Sequence, residues 1–366
     1  MTATTLLKIT DLHAYFYSQG KQAFIRSVDG VDLELARGET LGVVGESGSG
    51  KSVTALSVMG LAGSGPGVIR GGIELTTNGI TKNLLQGLDE HVRIGERDGR
   101  IMDVSKDAIG WERRSDGIME GVRGKDISMI FQNPKSSLNP FESVGNQITE
   151  SILLHTRIKN EREAKDRAIS WLDRVKIDSP RLRFDNYPYG LSGGMCQRAM
   201  IAMALSCEPS LLIADEPTTG LDATIQSKIV DLLAELKTEI GISTMLISHD
   251  ISVIFRLSDS VAVMYGGTVV ESGQAKALLA INAVGKHPYT AALLASIPDE
   301  RNIQDKGRLQ AIEGDVLDTI NIPLGCRFYG RCSRVTDAIR EKCERVEPDL
   351  REVAPGHRVR CWLYVE

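Results

Sequence analysis

Between the apolar run Thr40 to Val44 (TLGVV) and the helix-compatible stretch SVTALSVMGL stands GESGSGKS, Gly45 to Ser52. Strand, glycine turn and helix in that order leave few folds open, because such a turn aims backbone N–H groups at concentrated negative charge. Gly45, Gly48 and Gly50 let the backbone turn its donors inward, and Glu46, Ser47 and Ser49 complete the loop. Lys51 is placed to reach the outer phosphates of a nucleotide and Ser52 to hold Mg²⁺, while the positive end of the following helix adds its partial charge. The stretch reads as a nucleotide site rather than a bare glycine turn.

At 366 residues the chain can hold one large domain and a smaller one. Lys and Arg total 43 against 48 Asp and Glu, and the net charge of −5 offers no basic field for nucleic acid. The opening MTATTLLKITDLHAYF lacks a basic stretch followed by a sustained apolar one, so no signal peptide is read. No apolar run approaches the roughly 18 residues of a membrane span. The expectation is a cytosolic protein that reaches a membrane only through a partner.

Leu6 to Leu35 alternate apolar and polar residues around the turn-like SQGKQ, which predicts an antiparallel hairpin. Its aromatic triplet Tyr15, Phe16, Tyr17 reads first as core packing. From Asn78 to Gly124 the composition turns polar and glycine-punctuated, and HVRIGE and GRIMDVS flank an Arg-Asp-Gly turn. A solvated hairpin insertion without chemistry of its own is predicted there. DISMIFQNP then supplies a short strand ending in Gln132, and VGNQITESILLH and EREAKDRAISWLDRVKI follow with helical periodicity. The strands LGVVG, SLLIAD and TMLIS are apolar without alternation, as in a largely parallel sheet covered on both faces.

Two further constellations carry chemistry. LLIADE is a buried-type strand ending in acids, with Asp215 placed for Mg²⁺ and Glu216 beside it for polarising an attacking water. LSGGMCQR opens a helix with Ser192, Gly193 and Gly194, a second anion-binding turn. One phosphate cannot sit in two separate nests of the same subunit. Four of the six cysteines, Cys326, Cys332, Cys343 and Cys361, crowd into the last segment, which in a reducing compartment points to a metal before disulfides. Their spacing lacks the paired CxxC of zinc ribbons and favours iron–sulfur over Zn²⁺, though four thiolates suit both. Cys196 and Cys207 read as packing residues.

GESGSGKS, Gln132, LSGGM, LLIADE, GLDA (Gly220 to Ala223) and His249 occur in the order found in ATP-binding-cassette (ABC) ATPases, and the chain resembles that family over nearly its first 280 residues. The resemblance implies a P-loop cassette: a RecA-like, mostly parallel sheet core, an antiparallel β subdomain and an α-helical subdomain. The cassette is expected over 1–285, with the helical part at about 136–209 and the insertion at about 78–124. The resemblance also implies a head-to-tail dimer that sandwiches ATP between the Lys51 loop of one subunit and LSGGM of the other. By the same resemblance Lys51, Ser52 and Asp215 bind MgATP, Gln132 links metal and water to the membrane partner, and Glu216 is the general base. His249 would hold the γ-phosphate, Asp222 shape the dimer interface, and Phe16 or a neighbouring Tyr stack on adenine. Met195 stands where many members carry Gln.

HPYTAALLASIPD, IEGDVLDTINIPLGCRFYGRC and PGHRVRCWL are similar to the C-terminal extension of oligopeptide/dipeptide/nickel importer ATPases, expected here over 286–366. In that family the cysteines commonly bind a [4Fe–4S] cluster. The resemblance implies two integral membrane permease subunits, a paralogous ATPase subunit in preference to a homodimer, and an extracytoplasmic solute-binding protein. It places the chain peripherally at the cytoplasmic face of the bacterial inner membrane. A soluble ABC ATPase acting on DNA or ribosomes, or the ATPase of an exporter, are the alternative expectations.

Overall fold

The computed structural model describes residues 4–63, 65–97, 100–279, 285–296 and 312–365. Asp98 and Gly99 of the expected insertion turn, and the last residues of HPYTAALLASIPD, lie outside the described residues. In chain order the strands are β1 (Thr5–Ser18), β2 (Ala23–Ala36), β3 (Thr40–Val44), β4 (Pro66–Thr77), β5 (Ile80–Asn83), β6 (Val92–Arg97), β7 (Arg100–Lys106), β8 (Ile127–Ile130), β9 (Leu211–Asp215), β10 (Ser243–Ile247), β11 (Ser260–Tyr265), β12 (Thr268–Gln274), β13 (Arg351–Ala354) and β14 (His357–Val359).

The expected hairpin is β1 and β2, which run antiparallel from Thr5 opposite Ala36 to Ser18 opposite Ala23. β4 and β5 extend it into a sheet of order β2-β1-β4-β5. The second sheet has the order β13-β14-β12-β11-β3-β10-β9-β8, parallel from β11 to β8. Every residue of β3, β8 and β9 is buried, as a strand with both faces covered requires. Side chains alternate across the sheet, so Leu211 and Ile213 join the apolar cluster beneath the antiparallel sheet while Leu212 and Ala214 join the one beneath the helices.

Helices Val144–His155, Glu161–Arg174, Pro180–Phe184 and Gly193–Leu205 lie between β8 and β9 in the chain. Ser143 and Asn160 cap the first two by accepting from backbone N–H groups in the opening turn. Ala164, Ala168, Trp171 and Leu172 form the buried stripe of the second, with Trp171 only 2% exposed.

The stretch 78–124 departs from the solvated hairpin predicted for it. β6 and β7 do pair, but a helix follows, Ala108–Met119, capped by Asp107. Its buried residues, Trp111, Ser115 and Met119, recur every fourth position, and Leu84, Leu88 and Trp111 belong to the core under the antiparallel sheet. Lys106 sits 3.4 Å from the centre of the Trp111 ring and donates to the Val68 carbonyl at 2.8 Å. Burial pushes its pKa down to about 7.

The C-terminal extension shares the cassette's sheet. β14 pairs with β12, Glu271 opposite Val359, and β13 closes the edge. Arg327 donates to Asp29 at 3.0 Å, to Glu347 at 2.8 Å and to the Gly266 carbonyl at 2.7 Å, linking the extension to β2 and to the β11–β12 turn. No helix among the described residues is long and apolar enough to cross a membrane.

Candidate nucleotide site

The parallel register places the C-terminal ends of four strands side by side: Ile247 of β10 lies opposite Val43 and Asp215, and Ile130 of β8 opposite Ala214. The loops that leave these ends carry the Lys51 turn, Glu216, His249 and Gln132. Open parallel sheets bind ligands at this edge.

β3 hands over to the loop at Gly45, and the helix Lys51–Val58 begins after Gly50, which adopts φ 100°. A Cβ at Gly50 would run into the Ser27 carbonyl oxygen, so both the conformation and the space demand glycine. Ser47 and Gly48 are exposed, whereas Ser49 and Gly50 are buried. Lys51 is 5% exposed, and its Nζ donates to the carbonyls of Gly45 (2.7 Å) and Glu46 (2.9 Å) and to Ser49 Oγ (3.3 Å). Burial lowers its pKa, and the carboxylates of Glu216, Asp215 and Glu46 pull it back up. The ammonium is therefore held at the loop with acids of the strand ends behind it.

Ser52 Oγ donates to Asp215 Oδ1 at 3.0 Å, joining the loop to the end of β9. Burial raises the Asp215 pKa, the Ser52 bond lowers it and the neighbouring Glu216 charge raises it again. Glu216 has φ 47°, an uncommon conformation for a residue with a side chain, and its N–H donates to the Ile247 carbonyl at 2.9 Å. Its Oε2 accepts from Gln132 Nε2 at 2.8 Å and from Thr219 Oγ1 at 2.9 Å, and Oε1 lies 3.3 Å from His249 Nδ1. Burial alone would raise this carboxyl, but the Thr219 and His249 bonds outweigh it and hold the group below the usual glutamate range. The arrangement is an ionised carboxylate, strained into place and flanked by donors, beside a lysine-bearing anion loop. Such a group can take a proton from water next to a bound phosphate.

Ser192 caps the helix Gly193–Leu205 by accepting from Met195 N–H at 3.3 Å. Gly193 and Gly194 face Leu221 and Ile225, around the helix Ala223–Ile240 that Asp222 caps. LSGGM and Asp222 thus share one corner of the molecule. Phe16 lies on β1 opposite Ile25 and Pro66, half-buried, with Gly63 alongside. Tyr15 is 1% exposed and donates to Asp29, so it serves the core, whereas Tyr17 is 49% exposed and meets Phe24 edge-on. Thr219, Tyr289 and Arg331 carry no role in the sequence reading: Thr219 sits three residues after Glu216 in a turn, a local signal, whereas Tyr289 and Arg331 lie in the stretches that mark the tail and say nothing locally of a contact with the loop.

The tail brings its four cysteines within electrostatic reach of one another. All six cysteines are free thiols, and among the described residues no group of three or more His, Cys, Asp or Glu is placed to hold a metal ion. Cys326, Cys343 and Cys361 are buried and Cys332 partly so, with Cys326 and Cys343 inside the main apolar cluster. Burial, reinforced by the other thiols, pushes Cys326 up to about 12 and Cys361 to about 11.

Residues 28–219 match the family described as ABC transporter, and residues 270–338 the one described as oligopeptide/dipeptide transporter, C-terminal region. The Bacillus subtilis (strain 168) oligopeptide transport ATP-binding protein AppD is 41% identical over 99% of this chain and 98% of its own length. The Escherichia coli (strain K12) dipeptide transport ATP-binding protein DppD is 40% identical over 97% and 96%. A dimeric, post-hydrolysis ATP-binding cassette bound to ADP and Pi aligns with a TM-score of 0.57 at 22% identity, covering 74% of this chain and 99% of that one, a likeness of fold. Matched by that family model and by relatives along nearly its whole length, the chain belongs to the ABC transporter family of ATP-binding proteins.

Proposed function

We propose that this chain is the ATP-hydrolysing subunit that powers import of oligopeptides, dipeptides or similar small solutes, peripheral at the cytoplasmic face of the bacterial inner membrane. The observation that carries the reading is the 41% and 40% identity, tail included, to proteins named for oligopeptide and dipeptide transport. Lys51 and the N–H groups of the loop hold the outer phosphates, and Phe16 lies against adenine. Ser52 and Asp215 offer hard oxygen donors that fit Mg²⁺, which when bound would offset phosphate charge. Glu216 takes the proton of the attacking water, His249 reaches the γ-phosphate, and Gln132 ties the site to the helical region.

Ser192, Gly193 and Gly194 complete the site of a second, paralogous ATPase subunit, with Asp222 at that interface. Two integral membrane permease subunits dock on the helical region. Phe141 (86% exposed) and Tyr189 (79%) support this by leaving large apolar surface near the segment that follows Gln132. Recovered from membranes, the tagged full-length chain is expected to bring down both permease subunits and a second ATPase. Its ATPase rate should rise when a peptide-loaded extracytoplasmic solute-binding protein is added. Recovery of ribosomes or DNA instead, or indifference to every peptide, rejects the reading.

For the extension, 286–366, Cys326, Cys332, Cys343 and Cys361 are the ligand set of a [4Fe–4S] cluster, with Zn²⁺ as the alternative. What supports this is the donor chemistry: every pair among the four is close enough for one thiolate to raise another's pKa, and four sulfurs suit either group. Bound, the group would cross-link the tail. Protein purified without oxygen is expected to be brown and to carry iron, and Cys343→Ser to lose the iron while still binding ATP. Stoichiometric zinc replaces the cluster; a metal-free protein with an ordered tail removes both.

A further inference from the structure

The phosphate loop contains an acid, Glu46, where bound phosphates would repel it. Its carboxylate is met by Arg331 from the C-terminal extension, 285 residues away: Nη1 donates to Oε2 at 2.7 Å and Nη2 to Oε1 at 3.0 Å. The pairing is two-pronged and well shielded, with Arg331 side-chain exposure at 7% and Glu46 at 21%. Arg331 is itself fixed, donating through Nε to the Glu313 carbonyl at 2.9 Å and lying against the Tyr265 and Phe328 rings.

Glu46 is gripped at its backbone as well. Its N–H donates to Tyr289 Oη at 2.8 Å, and its carbonyl accepts from Lys51 Nζ at 2.9 Å. Tyr289 lies on the extension's helix Pro288–Ala295, is fully buried, and packs with Tyr265 and Phe328 at ring separations of 4.7 and 5.4 Å. Side chain, N–H and carbonyl of one loop residue are thus tied to Arg331, Tyr289 and Lys51 respectively. Two of those three anchors come from the extension.

We propose that Arg331 is a positioning residue of the nucleotide site: it neutralises Glu46 and, with Tyr289, sets the loop backbone that presents Lys51 to the phosphates. This rests on the reading of Gly45–Ser52 as the ATP loop. Without Arg331 the Glu46 carboxylate keeps its charge and loses its direction, so it opposes ATP electrostatically and loosens the carbonyl to which Lys51 is bonded. Removing that charge as well should relieve most of the defect.

The test uses the full-length chain and titrates ATP binding and steady-state hydrolysis in Arg331→Met, Glu46→Gln, the double variant and Lys51→Ala. Arg331→Met is expected to weaken ATP binding about tenfold and to raise KM in step, with kcat within about twofold, as loss of uniform binding requires. Arg331→Lys, which keeps the charge but not the fork, should fall between the two. The double variant should recover to within about threefold of wild type. Arg345→Ala, at an exposed tail pair, serves as the neutral control. The proposal fails if Arg331→Met only lowers the unfolding temperature and leaves ATP affinity unchanged, or if Glu46→Gln brings no relief. Should Arg331→Met not fold, Arg331→Lys decides alone, and wild-type affinity there overturns the proposal. Undiminished ATP binding in Lys51→Ala would instead reject the site reading beneath it.

Discussion

Glu216→Gln is expected to bind ATP like the wild type and to hydrolyse it about 10³-fold more slowly, about 4 kcal/mol of barrier. The geometry explains why binding should survive. A glutamine carbonyl in place of Oε2 can still accept from Gln132 and Thr219, and the amide nitrogen in place of Oε1 can donate to His249 Nδ1 in the tautomer that carries its proton on Nε2. The network keeps its shape, and the bond from the residue's N–H to the Ile247 carbonyl, which does not involve the carboxylate, is retained. What the amide cannot do is accept a proton. The carboxylate is held below the usual glutamate range, so it is ionised throughout neutral pH and its own protonation should limit the wild-type rate only in acid. Single-turnover hydrolysis beside an equilibrium titration of ATP checks both halves. A variant that turns over at the wild-type rate removes Glu216 from the role of base.

How much of this was legible in the sequence follows from how local each feature is. The Lys51 loop, LLIADE and the Ser192 cap are short, contiguous patterns whose geometry depends on neighbours within a turn or two. The parallel sheet was legible because strands covered on both faces cannot alternate, and LGVVG and LLIAD do not. The helix Ala108–Met119 was hidden because a buried stripe of only Trp111, Ser115 and Met119 leaves the other nine of its 12 residues outside it, four of them charged. β14 has three residues, too few to show a period, and its place is fixed by β12. Arg331 and Glu46 illustrate the deeper limit. In the sequence Glu46 reads only as a member of the glycine loop and Arg331 as an ordinary charge, and the packing of Phe328 on Tyr265 and Tyr289 accompanies their meeting.

Lys51→Ala should show the opposite signature, with ATP affinity reduced at least about 100-fold and hydrolysis lost through failure to bind. Two losses combine. The ammonium is the positive charge that the loop itself carries, and charge-assisted bonds are the strongest the loop can make. Its three bonds, to the carbonyls of Gly45 and Glu46 and to Ser49 Oγ, also hold the loop's own oxygens away from the anion. Alanine leaves two carbonyls without that donor beside Asp215 and Glu216, so the loop would present negative charge where it now presents positive. Lys51→Arg should not repair the defect, because the planar guanidinium does not fit a pocket that leaves lysine 5% exposed. Calorimetric titration with ATP separates this outcome from that of Glu216→Gln. Affinity within about threefold of wild type in Lys51→Ala would mean that the nucleotide is held elsewhere, and the loop from Gly45 to Ser52 would lose its assignment.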